Sequence, residues 1–511
     1  MNISSIISQN VSFYSRCKAI IASEDGRTYT WAELEKNINK LGNALLNFGV
    51  RRGEIVAVYL PNSPEVVLTY FAIARIGAIF LPINIHLKTN EISHILNNSR
   101  SHFLIGSSVE IKDRVINQRF LFPHLRKVIT VGDYVDGCAD FYSLMEAGSS
   151  ELETYDCAED EPCALVYTSG TTGKPKGAIL SHGNILSIGA IDAELLHIND
   201  QDLLLTATPY CHIFFVQTIV APFIKGAGII TMNRFSPEKS LEIISRYKVT
   251  HYCGVPTMYV YMLNRFNRNK YDLKSWRVAQ TAGASMPAKY IRQIEEKFGV
   301  NICETYGTTE TSSCITYNRI GHGKVGSVGR VARGIQIKVV DNTGREMPAD
   351  KVGEILVKSP GMFLGYWEMP EATKAAFNDG WYRTGDLGIY DKDGYFYIVG
   401  RKNELIISGG YNIFPKEVED VIHSHPKVAE AAVVGVENPE LNEVPKAFVV
   451  MKPGEHMTEE ELIHFCKGEL ADYKVPLYVE FIQELPKTST GKILKALLQK
   501  KPVFNQVCSK I

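Results

Sequence analysis

Short apolar runs alternate with helical patterns over most of the chain before about Gly323. The segment Thr30–Phe48 repeats apolar residues at the three- and four-residue spacing of a helix. We predict helices over Thr30–Phe48 and Glu65–Arg75. The runs that predict strands are Ile55–Tyr59, Phe80–Ile83, Phe103–Ile105, Lys127–Val131 and Ala164–Thr168. Strands that alternate with helices are typical of an α/β fold with a mainly parallel sheet.

The pattern changes after Gly323, where short strand-like runs follow one another without helices. Turns such as Asp341–Gly344 and Asp391–Gly394 join these runs. The pattern predicts a small antiparallel sheet or barrel. Its predicted strands are Ile335–Val340, Gly353–Val357, Ile389–Tyr390 and Tyr395–Val399.

A third pattern begins after Arg401 and mixes helices with strands. Pro415–His423 and Thr458–Leu470 predict helices, while Ala431–Val436 and Ala447–Met451 predict strands. We expect a large N-terminal domain over residues 1–400, a short hinge at 401–403 and a small α+β domain over 404–511.

Val66–Ile85 is the longest apolar run and contains Arg75 and Pro82. A membrane span needs about 20 residues with few or no charges. We interpret the run as a buried helix followed by a buried strand, and expect no integral membrane segment.

Composition and charge exclude several classes of protein. The chain has 511 residues, of which 45% are hydrophobic and 22% charged, which is ordinary for a globular protein. Lys and Arg number 55 against 56 for Asp and Glu, which gives a net charge of -1. A nearly neutral chain has no general basic field for nucleic acid, so we expect no nucleic-acid partner.

The ten cysteines are scattered and form no Cys-x-x-Cys pair. Such usage favours reduced thiols in a reducing compartment over a disulfide framework or a zinc site. The segment Met1–Asn10 lacks a basic stretch followed by an apolar block, so we expect no signal peptide and a cytoplasmic location.

The segment Tyr167–Gly177 concentrates glycines, hydroxyl groups and lysines directly after a predicted buried strand. Glycines let backbone N–H groups turn toward an anion, and lysines add charge. This pattern predicts a phosphate-binding loop, with a polar surface turn as the alternative. It is not the common nucleotide loop, because Gly170 and Gly173 are too close together and Pro175 follows Lys174.

Three further segments carry weaker signals. Tyr306–Glu310 groups an aromatic ring, a glycine, two threonines and a carboxylate that could hold magnesium, although Glu310 could equally begin a helix. Gly380–Gly388 presents Asp386 before a strand, where it suits two sugar hydroxyls or simply forms a turn. Pro486–Lys492 places a lysine on a glycine-containing loop, which is either a residue reaching into a cleft or a solvated basic turn.

In this order, these segments resemble the acyl-adenylate-forming family, which includes acyl-CoA synthetases, aryl-CoA ligases, luciferases and stand-alone adenylation domains. The resemblance runs from about Arg27 to Lys495. It implies ATP, Mg²⁺, coenzyme A and a small carboxylic acid as the molecules bound, and a mobile C-terminal domain. Peripheral membrane contact and the choice between monomer and homodimer stay open.

The resemblance also implies roles for the nucleotide-binding residues. Glu310 and Thr168 would hold Mg²⁺, Thr309 would contact phosphate, and Asp386 would hold the ribose hydroxyls with help from Arg401. The implied phosphate loop comprises Thr168, Ser169, Gly170, Thr171, Thr172, Gly173 and Lys174, and the implied adenine-binding residues are Gly283, Ala284, Tyr306 and Gly307.

For the acyl and thiol steps, the resemblance implies that Lys492 bridges the carboxylate and the α-phosphate. His212 would lie beside the acyl pocket and control entry to the thiol tunnel. Ser408, Gly409 and Gly410 would line the pantetheine path. The implied substrate-pocket residues are His212, Phe214, Phe215, Ala282 and Thr305.

One position departs from the family pattern. The hinge residue is usually aspartate or lysine, and here it is Asn403. Asparagine tolerates unusual backbone angles, so we still expect a hinge there.

These expectations point to an ATP-dependent carboxylate–CoA ligase that works through an acyl-adenylate. Because the chain ends soon after Lys492, we expect a free thiol acceptor; the alternative is an enzyme that loads a separate carrier protein. A non-catalytic binding protein is disfavoured by the presence of Lys492, Glu310 and Asp386.

The pocket segments are apolar or small, which predicts a monocarboxylic acid with an aliphatic, alicyclic or aromatic body. Phe214 and Phe215 would form a flat slot if both rings faced the pocket.

Overall fold

The computed structural model describes residues 1–168, 175–487 and 493–499. The chain forms two compact units. The first contains residues 1–337 and 357–382, and the second contains residues 338–356 and 383–511. Residues 401–403 lie within the second unit, and their role as a hinge stays a prediction.

The first unit is built from α-helices and two large sheets. Its helices are α1 (Ser5–Tyr14), α2 (Trp31–Phe48), α3 (Pro64–Arg75), α4 (Thr89–Ser99), α5 (Ser108–Arg114), α6 (Phe141–Glu146), α7 (His182–Leu195), α8 (Ala221–Ile224), α9 (Pro237–Tyr247), α10 (Pro256–Arg265), α11 (Ala288–Phe298) and α12 (Pro370–Ala376). Its strands up to residue 331 are β1 (Lys18–Ala22), β2 (Thr28–Thr30), β3 (Ile55–Tyr59), β4 (Ile79–Pro82), β5 (Phe103–Ser107), β6 (Lys127–Val131), β7 (Ala139–Asp140), β8 (Pro162–Thr168), β9 (Lys176–Ser181), β10 (Leu203–Thr206), β11 (Gly228–Thr231), β12 (His251–Gly254), β13 (Val278–Thr281), β14 (Asn301–Thr308), β15 (Ser313–Tyr317) and β16 (Arg330–Val331).

Between residues 336 and 390, the boundary between the two units falls inside three strands, Gln336–Val340, Gly353–Lys358 and Trp381–Tyr390. The elements in this stretch are β17 (Gln336–Val340), β18 (Gly353–Lys358), β19 (Gly365–Tyr366), β20 (Phe377–Asn378) and β21 (Trp381–Tyr390). The remaining elements belong to the second unit: β22 (Phe396–Arg401), β23 (Ile406–Ser408), β24 (Tyr411–Ile413), α13 (Pro415–Ser424), β25 (Val428–Asn438), β26 (Asn442–Met451), α14 (Glu459–Glu469), β27 (Tyr478–Phe481) and α15 (Lys495–Gln499).

Both large sheets are mainly parallel, which confirms the sequence-based prediction. The eight-stranded sheet has the order β19-β9-β8-β4-β3-β5-β6-β7, and the nine-stranded sheet has the order β16-β15-β14-β13-β12-β10-β11-β1-β2. Strands of a parallel sheet are covered on both faces and therefore read as continuous apolar runs. Ile55–Tyr59 was predicted from such a run, and all five of its residues are buried in β3.

Helix α2 begins where its sequence supplies a cap. The Thr30 side chain accepts from the backbone N–H of Glu33, and the Glu33 carboxylate accepts in return from the Thr30 N–H. This reciprocal arrangement satisfies N–H groups that a helix start leaves unpaired. The predicted helix included Thr30, which is the cap residue immediately outside it.

The apolar run Val66–Ile85 contains a buried helix and a buried strand, as predicted. All residues of α3 are buried, including Arg75, whose side chain is 1% exposed. Its guanidinium Nε donates to Ser4 Oγ at 3.0 Å, and Nη1 donates to Asn39. A buried charge needs such partners. Across the described ranges, no helix combines the length and the apolar character that crossing a membrane requires.

The second unit packs a mixed, mainly antiparallel sheet against helices, which agrees with the predicted α+β pattern. Its strand order is β24-β23-β26-β25, with β27 beside β26. Helices α13 and α14 contribute Val418, Ile422 and Leu462 to a buried cluster that also contains Ile406 and Val449 from the sheet. A further antiparallel sheet has the order β17-β18-β21-β20, with β22 beside β21.

Candidate active site

Four neighbouring strands of the nine-stranded sheet end at the same edge. Strands β10, β12, β13 and β14 run parallel, and Thr206, Cys253, Gln280 and Cys303 are partners across them. The carboxyl ends of neighbouring parallel strands form the edge where ligands usually bind in open α/β sheets. The chain at and beyond this edge carries the predicted acyl-pocket and adenine-binding residues and the predicted metal ligand Glu310. The other predicted metal ligand, Thr168, ends β8 in the eight-stranded sheet.

A tight hairpin between β14 and β15 presents the segment Tyr306–Glu310. The pairing shifts register between Tyr306 and Gly307, which is a bulge. A Cβ at Gly307 would lie 1.9 Å from the Ser313 carbonyl oxygen, so only glycine fits without movement. Ser312 and Ser313 have φ values of 57° and 133°, which most residues avoid. Such backbone is tolerated where surrounding contacts hold it in place.

Side chains of the hairpin fix its turn. The Thr311 hydroxyl accepts from the Thr308 N–H at 2.9 Å and donates to the Ser313 carbonyl at 2.8 Å. Thr309 and Glu310 form the intervening 3₁₀ turn with Thr311 and are 7% and 9% exposed. The two residues predicted to contact phosphate and metal are thus held on a rigid turn.

The carboxylate of Glu310 is oriented by a tyrosine from a distant part of the chain. Tyr366 Oη donates to Glu310 Oε1 at 2.8 Å, and Lys176 Nζ lies 5.2 Å from the centre of the Tyr366 ring. Tyr382 lies close by, and burial raises its pKa, with Glu310 adding to the effect. Sequence reasoning missed Tyr366, since no motif surrounds it.

The predicted phosphate loop is bracketed by a β-hairpin. Strands β8 and β9 pair antiparallel, with Thr168 opposite Lys176. The Thr168 hydroxyl donates to the Lys176 carbonyl at 3.4 Å. Of the predicted loop, Ser169, Gly170, Thr171, Thr172, Gly173 and Lys174 lie outside the described residues.

The loop that carries His212 is anchored by a residue that follows β3 of the eight-stranded sheet. Asn62 Nδ2 donates to the Thr208 carbonyl at 2.8 Å, and Asn62 Oδ1 accepts from the Tyr210 N–H at 2.9 Å. The Tyr210 hydroxyl is hydrogen-bonded to Thr206 at the end of β10. Asn62 is a second positioning residue that sequence reasoning missed, because it follows β3, far away in the chain.

Phe214 and Phe215 lie in different surroundings. The Phe214 ring is 5.2 Å from the ring of His212. Phe215 packs edge-on against Tyr70, with ring centres 5.3 Å apart, and lies 6.5 Å from Phe80. Phe215 therefore belongs to a cluster of core aromatic rings, and Phe214 is the ring held beside His212.

Ala282 and the two residues after it follow β13. Ala282 is buried, Gly283 has a φ of +84°, and both Gly283 and Ala284 are exposed. The Glu304 carboxylate accepts from the Met286 N–H at 3.1 Å and so ties this loop to β14. The stretch predicted to border adenine is therefore a turn whose backbone bends sharply at a glycine.

Thr305 takes part in a buried polar network beneath these loops. Its hydroxyl accepts from Gln280 Nε2 at 3.4 Å and from Cys314 Sγ at 3.1 Å. Gln217 Nε2 donates to Cys314 Sγ at 2.7 Å, from a short π-helix over Val216–Val220. Insertions of this kind in helices are frequent at functional sites.

The network ends at a buried carboxyl group on α7. Tyr317 Oη donates to Asp192 Oδ1 at 2.5 Å. Burial raises the pKa of Asp192 to about 7, although hydrogen bonds from Tyr317 and Gln217 oppose this shift. The network joins α7, the π-helix and β15, and it was not predicted from the sequence.

In the second unit, Asp386 and Arg401 form an ion pair across two strands. They are register partners in β21 and β22, and Arg401 Nε lies 2.7 Å from Asp386 Oδ1. The Asp386 N–H donates to the Thr384 hydroxyl at 3.0 Å. The structure thus brings together the two residues that were predicted to hold the ribose.

The predicted thiol-path residues form a small hairpin. Ser408 and Tyr411 pair across β23 and β24, while Gly409 and Gly410 have φ values of +54° and +86°. Asn403 lies in a 3₁₀ turn over Lys402–Glu404. Lys492 lies outside the described residues.

Comparison with known families agrees with this geometry. Residues 9–367 match the family model of the AMP-binding enzyme, and residues 417–492 match that of the AMP-binding enzyme C-terminal domain. The matches cover both units.

Two curated relatives and one solved structure illustrate the similarity. A feruloyl-CoA synthase from Amycolatopsis is 34% identical over 490 residues, which are 93% of this chain and 94% of the relative. A long-chain-fatty-acid–CoA ligase from Bacillus subtilis (strain 168) is 33% identical over 510 residues, which are 94% of this chain and 91% of the relative.

The solved structure is the anthranilate CoA ligase AuaEII in complex with anthranoyl-AMP. It has a TM-score of 0.91 and 30% identity, and the match covers 98% of this chain and 96% of that chain. The motifs, the fold and these relatives agree, and the chain belongs to the AMP-binding enzyme family, among its acyl- and aryl-CoA ligases.

Proposed function

We propose that this ligase activates an apolar monocarboxylic acid through an acyl-adenylate and transfers the acyl group to the thiol of coenzyme A. The observation that carries the proposal is the carboxyl edge of the nine-stranded sheet. There the Glu310 carboxylate, on a turn fixed by Thr311 and held by Tyr366, shares an edge with the His212 and Ala282 loops.

The reaction needs charge stabilisation more than a protein nucleophile. The acid's carboxylate oxygen attacks the α-phosphorus of ATP, and pyrophosphate leaves. Negative charge then develops on oxygens around phosphorus, so donors and cations must be fixed there in advance. Lys492 is the proposed cation, on the basis of the family resemblance. A CoA thiol then attacks the acyl carbon and AMP leaves.

The donor set of the first unit fits Mg²⁺. The Glu310 carboxylate and the Thr168 hydroxyl are hard oxygen donors, which this ion prefers. Tyr366 orients Glu310 through one carboxylate oxygen only, at 2.8 Å. When bound, Mg²⁺ would neutralise negative charge on the phosphates.

Asp386 is the proposed ribose ligand. Arg401 is 2.7 Å from one of its oxygens and keeps the carboxylate charged and fixed in direction. An ionised carboxylate accepts hydrogen bonds from two neighbouring hydroxyls at once. This pairing therefore supports a role in binding ATP.

The acid is proposed to be apolar because the side chains placed at the predicted pocket are apolar or small. Phe214 lies beside His212, and Ala282 is buried near Thr305. Phe214, Ala282 and Thr305 supply no cation for a second carboxylate. The relatives named above act on ferulate, long-chain fatty acids or anthranilate by their names, which covers aliphatic and aromatic bodies. ATP and CoA are both cytoplasmic metabolites, so we also propose a cytoplasmic location.

A panel of carboxylic acids tests the proposal. A long-chain fatty acid, cyclohexanecarboxylate, ferulate and anthranilate would each be supplied with ATP, Mg²⁺ and CoA, and AMP and acyl-CoA would be measured. We expect CoA-dependent turnover with at least one acid. The Lys492→Ala variant should lose adenylate formation while still forming acyl-CoA from a supplied acyl-adenylate.

Two results would contradict the proposal. If no acid supports CoA-dependent turnover but an acyl-adenylate still forms, a separate carrier protein would replace CoA as the acceptor. If Lys492→Ala lowers both half-reactions equally, the proposed role of Lys492 is wrong.

A further inference from the structure

A lysine at the start of α15 lies between two carboxylates. Lys495 Nζ is 2.8 Å from Glu419 Oε1 and 3.1 Å from Glu404 Oε2. The lysine side chain is only 17% exposed. Burial lowers the pKa of Lys495, but the two carboxylates outweigh it and the pKa is raised. The lysine is therefore charged at neutral pH, and all three residues belong to the second unit.

The three residues connect parts of the unit that are far apart in the chain. Glu419 lies in the middle of α13, and its Oε1 also accepts from the Val433 N–H at 2.8 Å. Glu404 is the last residue of the 3₁₀ turn that contains Asn403. Lys495 thus joins the turn at the predicted hinge to the helix and sheet of the small domain.

The chain on either side of residues 488–492 is held to the same sheet. Lys487 and Ile493 form an antiparallel bridge, and the Leu494 N–H donates to the Pro486 carbonyl at 2.8 Å. Leu485 and Leu498 are buried in one apolar cluster with residues of β25 and β26. Lys487 also pairs with Glu430 at 2.6 Å. These contacts hold the described residues on either side of Lys492, up to Lys487 and from Ile493 onward, against the sheet.

We propose that Lys495 is a positioning residue for Lys492. Its ion pairs with Glu404 and Glu419 attach residues 493–499, which follow Lys492 in the chain, to the residue that directly follows Asn403. The inference rests on the proposed function, because it assigns Lys495 to the adenylation half-reaction.

The energetic reason is the cost of separating these charges. A lysine that is mostly buried between two carboxylates has lost much of its hydration and is stabilised by them instead. Removing its charge leaves both carboxylates without their partner, which is destabilising. Residues 493–499 then lose their ion pair with the 3₁₀ turn that contains Asn403. Displacing a catalytic group by about 1 Å costs up to roughly a hundredfold in rate.

The test compares three variants in both half-reactions. Lys495→Met removes the charge and keeps the length, and Lys495→Arg keeps the charge. Lys446→Met is the matched control: its ammonium lies 2.9 Å from Glu480, and its side chain is 6% exposed, in the same unit. Adenylation is measured as acid-dependent exchange of pyrophosphate into ATP, and thioester formation is measured from a supplied acyl-adenylate.

We expect Lys495→Met to lower adenylation by roughly tenfold or more and to leave thioester formation within about twofold. Lys495→Arg should restore most of the adenylation rate. Lys446→Met should change both half-reactions in the same proportion. A proportional loss in Lys495→Met, or no loss at all, would overturn the proposal. Glu404→Gln leaves the ion pair between Lys495 and Glu419 in place, so it should lower adenylation selectively but less than Lys495→Met does. It replaces Lys495→Met in the test if that variant does not fold.

A second readout does not depend on the reaction. Hydrogen exchange of the peptide covering residues 481–499 should be faster in Lys495→Met than in the wild type and unchanged in Lys446→Met. If no acid is adenylated by the wild type, the proposed function fails, and this exchange still decides whether Lys495 holds residues 493–499. Unchanged exchange in Lys495→Met would overturn the positioning role directly.

Discussion

At the scale of single residues, Asp192 is a carboxyl group that is fully buried in the first unit. Its side chain has no exposed surface, and burial raises its pKa to about 7. The hydrogen bond from Tyr317 and the contact with Gln217 favour the ionised form, but the effect of burial is larger. A carboxyl group buried in this way stabilises the fold only while it carries its proton.

The first prediction concerns the pH dependence of Asp192. The pKa in the folded state is above the usual 3.8, so the folded state holds the proton more tightly. The contribution to stability is therefore fully present below about pH 4 and is lost as the pH rises toward 7, by up to roughly 1.4 kcal/mol per pH unit. The free energy of unfolding of the wild type, relative to Asp192→Asn, should fall across this range in urea titrations.

The exposed Asp160 provides the matched control for that measurement. Asp160→Asn should leave the pH dependence of the wild type unchanged, because this side chain is exposed. A constant difference between wild type and Asp192→Asn from pH 4 to 7 would show that Asp192 does not hold its proton in the folded state.

At the scale of elements, the β14–β15 hairpin combines several features that only make sense together. It has a bulge at Gly307, two serines with positive φ, and a threonine hydroxyl that fixes the turn. Glu310 depends on all of them, because its backbone position is set by the hairpin and its carboxylate by Tyr366. A change in the hairpin should therefore act on the reaction more strongly than on the fold.

The second prediction is that Gly307→Ala lowers adenylation by more than tenfold. The new methyl group would lie 1.9 Å from the Ser313 carbonyl and 2.6 Å from the Cys314 Cα, so the hairpin must move. Such overpacking costs about 1–3 kcal/mol of stability. Exchange of pyrophosphate into ATP and thermal unfolding would be measured on the same sample.

Gly468→Ala in α14 is the control, and its expected effect on stability has the opposite sign. Nothing lies within 4 Å of a Cβ placed there, so alanine should stabilise the helix by about 1 kcal/mol and leave adenylation unchanged. Normal adenylation in a folded Gly307→Ala variant would mean that the position of the hairpin is not critical.

At the scale of the whole molecule, the chain divides into two units with cores of their own. All four tryptophans, at positions 31, 276, 367 and 381, belong to the first unit. Glu354 belongs to the second unit, where Arg383 lies 2.5 Å and Lys402 3.0 Å from its Oε2. Burial alone would raise the pKa of Glu354, but these cations outweigh it and lower the pKa.

The third prediction separates the two units by pH. Because the pKa of Glu354 is below its usual 4.5, its contribution to stability is present above that pH and is lost as the pH falls through the lowered value. At pH 7, Glu354→Gln should cost the second unit about 1–2 kcal/mol, since both cations are partly exposed. The cost should vanish in strong acid.

Comparing two probes would distinguish the unfolding of the two units. Far-UV circular dichroism, which reports on both units, should show a lower unfolding midpoint for part of its signal in Glu354→Gln. Tryptophan fluorescence, which reports mainly on the first unit, should keep most of its midpoint. Equal shifts in both signals would show that the units unfold together.

The sequence by itself determined the parts of this protein that depend on neighbouring residues. Apolar patterns located β3 and β6 to the residue. For β3 the reason is that a strand buried on both faces carries an uninterrupted apolar run. The predicted strand Ile389–Tyr390 was much shorter than β21, which begins at Trp381. Its earlier residues alternate between buried and exposed around a glycine turn, and the apolar pattern is weak there.

The tertiary structure decided which distant side chains hold the site residues. Tyr366 reaches Glu310, Asn62 ties down the loop of His212, and Lys495 joins Glu404 to Glu419. None of these pairs has a signal in the local pattern, because each partner comes from another element of the fold. Motifs in the sequence predict which groups bind and react, because the residues of a motif are neighbours in the chain. The side chains that position those groups come from long-range packing, which only the folded chain reveals.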